Sequence, residues 1–320
     1  MNTSPDRSPS GLVDDAAAWD PLRDALRALV TQHDGRLKYV PNVGNSGDAL
    51  IGAGTWQFFD DMGLNPPYVR MGEIRRGDVA IYSGGGNLVN EYESCARFLE
   101  HCLAVGVAGA LVLPHTISGH EDLLKRLDGR FTLVCRETAS LLRVRACGTG
   151  ARVLYAPDMA FYIDVPRLFA RCATYRGAGF WLRHLHLDRL LPYLRWRWAL
   201  KRCLSQATGH VSILRVDVEA TSAAPGDPRW DVSNLYASAF RFREESELVA
   251  RDFLAFFEEV SSVRTNRLHA GVAGALMGCK VTYLDNSYGK ISAVYDSWLS
   301  HLPSVSFEQA QPAAPRRASA

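Results

Sequence analysis

Short runs of Val, Leu and Ile, each followed by a segment long enough for a helix, recur along the first half of the chain. They read LKYV (37–40), DVAIYS (78–83), GALVLP (109–114), FTLVCR (131–136) and ARVLYAP (151–157). A strand that is apolar on both faces must be covered on both, and helices returning between parallel strands provide that cover. The helices are marked by amphipathic stretches such as ALIGAGTWQFFDDM and EYESCARFLEHCLAVG, the second closing on Gly106 as a C-cap. From Val211 the pattern restarts. HVSILRVD is a strand, SELVARDFLAFFEEV a helix, SSVRTNRLHAGVAGALMG a strand running into a helix, KVTYLDN a strand and YGKISAVYDSWLSHL a last helix.

The expectation is therefore an α/β protein with two Rossmann-like domains facing a cleft, which 320 residues can build with a core each. The boundaries implied are an N-terminal segment, partly flexible, at 1–35; a first domain at 36–165; a basic aromatic linker at 166–205; a second domain at 206–302; and a disordered tail at 303–320.

Net charge is only +2, but its distribution is uneven. Between Pro166 and Cys203 nine Arg or Lys face one acidic residue, Asp188, amid Phe180, Trp181, Tyr193, Trp196 and Trp198. PYLRWRWALKRCL within it can be read as a helix lying on an anionic membrane surface or as an interdomain helix packing its tryptophans on the core. The charge run is too local, and known motifs too absent, for nucleic-acid binding. Seven cysteines without a CxxC pair imply no metal site, and Cys95 and Cys102, seven apart, fall on one buried helix face. They suit a reducing cytosol. No apolar signal-like stretch opens the sequence, and no run of eighteen uncharged apolar residues occurs, so neither secretion by a visible signal nor a membrane span is expected. The sequence specifies no oligomeric state.

Ligands of open parallel sheets bind beyond the carboxyl ends of the strands. The polar and glycine-rich residues gather there: NVGNSGD (42–48) after the first run, Ser83 with Gly84, Gly85, Gly86 and Asn87 after the second, Pro114-His115-Thr116 after the third, Arg136-Glu137 after the fourth and Pro157-Asp158 after the fifth. Gly and Asn tolerate positive φ and close backbone approach, so both glycine runs are candidate anion cradles, the second with helix entry at about Asn90. Asp48 is a candidate to cap the helix that starts beside it. Arg136, at the inner end of an apolar strand, needs a carboxylate or an anionic ligand, and Glu137 is its nearest candidate in sequence. Arg267 and His269 sit where a strand gives way to a small-residue helix, with Arg264 nearby; an imidazole beside a fixed cation suits acid/base work on an anion. DNSYGK (285–290) adds Asn286, Tyr288 and Lys290 to the same mouth.

Taken in order from about residue 40 to 300, these motifs resemble the polysaccharide pyruvyl transferases. The resemblance rests on NVGNSGD and the following Ile51, the triple glycine with GNLVNEY, LPHTI (113–117), Arg136-Glu137 with Ser140, the PD at 157–158, Arg215 with Asp217, NRLHA (266–270) and DNSYGK. It implies a GT-B-like enzyme that moves a pyruvyl group from phosphoenolpyruvate onto two hydroxyls of a sugar, forming a cyclic ketal. It implies no cofactor and no metal; the partners would be the phosphoenolpyruvate co-substrate and a saccharide acceptor, lipid-linked if the basic segment meets a membrane, which would put the enzyme in the cytoplasm at the inner membrane face. Carried over position by position, the family's essential arginine is Arg136 and its RxH pair is Arg267 and His269. Donor and acceptor contacts are expected from Asn42, Asn45, Gly47, Asp48, Gly84, Gly85, Gly86, Asn87, His115, Asn286, Tyr288 and Lys290. Many relatives have Gln where this chain has His115. A nucleotide-sugar glycosyltransferase and a non-catalytic sugar-binding protein of the same fold are the rival readings.

Overall fold

The computed structural model describes residues 11–13, 15–33, 36–175, 187–206, 209–217, 231–234, 238–239, 242–286 and 289–308. Each apolar run of the first half forms a strand. β1 (Leu37–Val40), β3 (Val79–Tyr82), β5 (Gly109–Ser118), β6 (Phe131–Cys135) and β7 (Arg152–Tyr155) lie side by side in that order, all parallel. β3 and β6 are buried along their whole length, as strands covered on both faces must be.

The second glycine run departs from its expected form. It opens a strand, β4 (Gly85–Val89), which pairs in parallel with the outer half of β5. The helix that follows, α3 (Ser94–Val105), begins at Ser94 rather than at Asn90. Leu88 and Val89 are buried and lie beside Ile117 and Ser118, so the chain continues as sheet for as long as it has apolar residues to bury. Gly85 holds φ +146, a conformation open to glycine, at the irregularity that lets β4 join. For the same reason β5 runs through to Ser118, and Pro114, His115 and Thr116 are strand residues instead of a following loop.

The second half supplies another parallel sheet, β8 (His210–Ile213), β10 (Ser262–Thr265), β11 (Lys280–Tyr283) and β12 (Val305–Phe307), in the order β12-β11-β10-β8. β12 lies in the segment expected to be a disordered tail. It is held because Val305 enters the core and Arg264 pairs with Glu308 at 2.9 Å. That pair also keeps Arg264 away from the site to which the sequence assigns it. A two-residue antiparallel pair, β2 (Val43–Gly44) with β9 (Ser238–Ala239), ties the first glycine run to the second half.

Between the halves runs α2 (Ser46–Asp61), buried from Ala49 to Phe59, which explains why ALIGAGTWQFF is apolar on every face. Its Leu50, Ile51 and Phe58 share one core cluster with Phe253, Leu254 and Val263. The N-terminal region is not detached: Leu22, Leu26 and Leu29 of α1 (Asp20–His33) join that core, with Trp19 just before them. After the helices α4 (Glu121–Lys125) and α5 (Thr138–Ala146) of the first half, α6 (Val165–Ala173) and α7 (Leu187–Gln206) occupy described parts of the basic aromatic linker; Phe180, Trp181 and its other residues from 176 to 186 lie outside the described ones. α7 presents Tyr193, Trp196, Leu200 and Cys203 to the core but leaves Trp198 exposed, so its two nearby tryptophans face opposite ways. No helix among the described residues is long and apolar enough to cross a membrane.

Close helix packing explains the glycines of α2. A Cβ on Gly54 would collide with the carbonyl oxygen of Met159. Gly54→Ala is therefore expected to destabilise the protein by roughly 1–3 kcal/mol in urea unfolding, since backbone must move to admit the methyl. A gain in stability would mean that α2 can shift freely against the 159–162 turn.

Candidate active site

NVGNSGD makes a rigid turn before it makes anything else. Asn45 caps α2 by accepting from the Gly47 N–H at 2.8 Å, and the Asp48 carboxylate accepts from the Asn45 N–H at 2.9 Å, closing a capping box. Capping is thus realised at Asp48. Its other oxygen takes the Asn42 side-chain amide at 2.8 Å, and Asn42 in turn accepts from the Asn87 side chain at 2.6 Å. The glycines are spaces for these groups. A Cβ on Gly44 would run into the Asp48 carboxylate, and one on Gly47 would come within 2.9 Å of the His269 ring.

The turn forms one wall of a cavity of about 270 Å³ lined from both halves of the chain. Asn42, Asn45, Asp48, Gly85, Gly86, Asn87 and Arg136 come from the first half, and Arg267, His269 and Lys290 from the second. Gly47 stands behind His269 rather than in the lining, and Gly84, His115 and Asn286 do not line it. Asn286 instead accepts from the Lys290 N–H at 2.9 Å, at the start of α10 (Lys290–Val294). Tyr288 lies outside the described residues.

Arg136 leaves the end of β6 with its side chain fully buried. Its closest partner is Asp158: Nη1 donates to Asp158 at 2.6 Å and Nε to Thr116 at 2.9 Å, while Glu137 forms a longer ion pair with Nε at 3.7 Å. Glu137 is turned toward Ser140 and Thr116, and burial pushes its carboxyl up. The remaining Arg136 nitrogen, Nη2, is buried without a hydrogen-bond partner. It lies at Gly86, where an added Cβ would be 2.8 Å from it and 3.0 Å from Lys290 Nζ. Two cationic side chains therefore converge at Gly86, and they can approach its backbone this closely only because residue 86 has no side chain.

On the opposite side, Arg267 is the N-cap residue of α9 (Leu268–Leu276), and His269 lies in its first turn. Arg267 Nε donates to Asp231 at 2.7 Å and Nη2 to Asp217 at 2.8 Å, and Asp217 also accepts from Arg215 at 2.8 Å. His269 Nε2 is buried and stands 3.5 Å from Asp158 Oδ2. Burial alone would raise the Asp158 carboxyl, but His269 and Arg136 around it hold it well below the usual carboxylate range. One aspartate thus faces an arginine of the first half and a histidine of the second.

His115 belongs to the support of this wall. Its Nε2 lies 2.8 Å from the Asn87 side-chain oxygen and 3.0 Å from the Asn87 N–H; the neutral ring serves one of them at a time. Burial, reinforced by Arg136, pushes the imidazole down to about 3. Among residues that sequence reasoning left outside the site, Ser233, Asn234, Tyr92 and Ser94 line the cavity. Tyr92 closes the GNLVNEY stretch and Ser94 opens α3 just beyond β4, whereas Ser233 and Asn234 lie on no strand end and no local pattern marks them. Asp231, beside Ser233, is the brace of Arg267 and was equally unmarked. Among the described residues, no three His, Cys, Asp or Glu side chains converge closely enough to hold a metal ion.

The sequence model of one family, polysaccharide pyruvyl transferase, matches residues 45–288. A Bacillus subtilis (strain 168) protein named "Putative pyruvyl transferase EpsO" is 26% identical over 290 residues, 83% of this chain and 85% of that one. A functionally uncharacterized protein from Klebsiella pneumoniae subsp. pneumoniae NTUH-K2044, known as a crystal structure, aligns with a TM-score of 0.69 at 24% identity over 90% of this chain and 97% of its own. At that identity the likeness establishes the α/β fold alone.

The buried imidazole gives a pH signature. Folded His115 binds its proton less readily than an unfolded histidine, so the unfolded state holds more protons between about pH 6.5 and 3 and stability must fall with pH through that window. Asp158, also depressed, adds its loss only below the ordinary carboxylate range, near pH 4. His115→Gln should flatten the acid limb of urea stability by up to about 1.4 kcal/mol per pH unit between pH 6 and 4. Parallel acid limbs in the two proteins would show that His115 is not the group lost.

Proposed function

The chain belongs to the polysaccharide pyruvyl transferase family, and from that premise we propose that it transfers a pyruvyl group from phosphoenolpyruvate to two hydroxyls of a saccharide, forming a ketal. The observation that carries the choice of donor is the convergence, in the cavity lining beside Gly86, of the unpartnered Nη2 of Arg136 and of Lys290 Nζ. Phosphoenolpyruvate carries a carboxylate and a phosphate on three carbons. A compact cavity with convergent cations, one of them lacking a hydrogen-bond partner on a buried nitrogen, suits such a molecule.

In this reading Arg136 and Lys290 receive one anionic group, and Arg267, held in orientation by Asp231 and Asp217, receives the other. His269 delivers a proton to the methylene carbon. The oxocarbenium-like centre so formed is attacked by one sugar hydroxyl, whose proton returns to His269. Phosphate then leaves with its bonding electron pair, and the second hydroxyl closes the ketal, its proton leaving with phosphate. Asp158 faces Nε2 of His269 and orients the ring. Asn42, Asn45 and Asn87 offer amides to the acceptor hydroxyls.

The arrangement is read as GT-B-like, two Rossmann-like domains of about 36–165 and 206–302 facing across the cavity, because the lining comes from strand ends of both sheets. Free cysteines at all seven positions suit a reducing compartment, and the reading places the enzyme in the cytoplasm.

Thermal unfolding with phosphoenolpyruvate, set beside uridine and guanosine diphosphates, tests the donor. Phosphoenolpyruvate at about 100 times its Kd should stabilise the protein by about 2.7 kcal/mol, a shift of several degrees that Lys290→Ala and Arg267→Ala diminish. A response to the nucleotides alone would make the protein a nucleotide-sugar enzyme. His269→Ala should keep the phosphoenolpyruvate shift while kcat for pyruvyl transfer falls about 10²–10⁴-fold; undiminished turnover would remove His269 from the chemistry.

A further inference from the structure

α7 has two faces of different kinds. Tyr193, Trp196, Leu200 and Cys203 face the core, and Tyr193 and Arg197 engage Asp252. On the other face Leu191, Leu194 and Trp198 stand 56%, 47% and 63% exposed, at spacings of three and four residues that align them along one side. They are three of the five large hydrophobic side chains most exposed among the described residues. Arg195, Lys201 and Arg202 are exposed beside them, and the Arg202 guanidinium sits 5.5 Å from the centroid of the Trp198 ring. From Leu190 to Gln206 the sequence has no Asp or Glu.

A solvent-facing side of a soluble helix ordinarily mixes charges of both signs around few apolar groups. From Leu190 onward this one combines leucines and an indole with cations and carries no acidic residue. Cations neutralise lipid phosphates, leucines enter the acyl boundary, and the indole ring rests at the headgroup level. We propose that the outer face of α7 docks the protein flat on an anionic lipid surface. The helix is rigidly connected to the cavity: Trp196 Nε1 donates to the Val232 carbonyl at 3.1 Å, Asp231 before it braces Arg267, and Ser233 after it lines the cavity and accepts from Ser46 at 3.0 Å. Docking would thus fix the cavity wall close to the surface, within reach of an acceptor carried on lipid. The docking itself does not rest on the identity of the donor.

Sedimentation with vesicles of phosphatidylcholine, with and without phosphatidylglycerol, tests this on the full chain. The protein should sediment with the anionic vesicles and be released at high salt. Neutralising Arg195, Lys201 and Arg202 together to Gln should weaken the partition by roughly tenfold or more. Leu194→Ser with Trp198→Ser should also weaken it, with the melting temperature kept because neither side chain packs on the core. Indifference of the wild type to both vesicles, or binding unchanged in both variants, would overturn the proposal. So would a wild-type dimer in light scattering that the Trp198 variant dissolves, which would assign the face to a second copy, or binding to a soluble polyanion without binding to vesicles.

Discussion

Asp158 has no exposed surface, yet its carboxylate meets a guanidinium of the first half of the chain and an imidazole of the second. A buried carboxylate is costly unless it is paired and hydrogen-bonded. Here Arg136 at 2.6 Å and the Ala160 N–H at 2.9 Å supply that compensation. Arg136 is fixed in turn, and only its Nη2 is left for the cavity. Much of the site's geometry follows from this one interaction. Moving the two halves apart would leave His269 without the charge it faces.

The first glycine run works by exclusion. Gly44 yields room to the Asp48 carboxylate and Gly47 to the His269 ring, while Asn45 and Asp48 satisfy the opening of α2. The second run works the same way at Gly86, where Arg136 and Lys290 occupy the region a Cβ would enter. Backbone mobility is not the reason for glycine at these three positions. Cations, a carboxylate and a ring approach the chain more closely than any side chain would allow.

α2 and its neighbours fix the distance between the halves. Asp60 near the end of α2 pairs with Arg243 and Arg167, and Arg243 and Arg171 both reach the buried Glu247. The Arg243 guanidinium also lies over the Trp56 ring at 4.9 Å. Such a network adds geometric specificity to the apolar contact between α2 and α8 (Arg243–Phe256), since partial loss of any partner strands a buried charge. The cavity wall that begins at Ser46 is thereby set against α9 and Lys290.

The alternation of apolar runs with helical segments was sufficient for the α/β class, for the two parallel sheets and for the gathering of Arg136, Arg267 and His269 near strand ends. Those are local properties: period, length and punctuation act within a few residues of chain. What lay beyond them depended on which segments come side by side. Glu137, adjacent to Arg136 in sequence, pairs with it at 3.7 Å, but the closer partner, Asp158, lies twenty-two residues on. β4 formed because the outer half of β5 offered it a partner, and β12 because Tyr283 and its neighbours left an edge to pair with. Asp231 and Ser233 entered the site from a turn with no motif, placed there by Trp196 and Ser46. The sequence determined which elements form and which chemistry they carry at their ends; tertiary structure alone decided the partners of each charge, because burial makes a charge answer to its neighbours in space rather than along the chain.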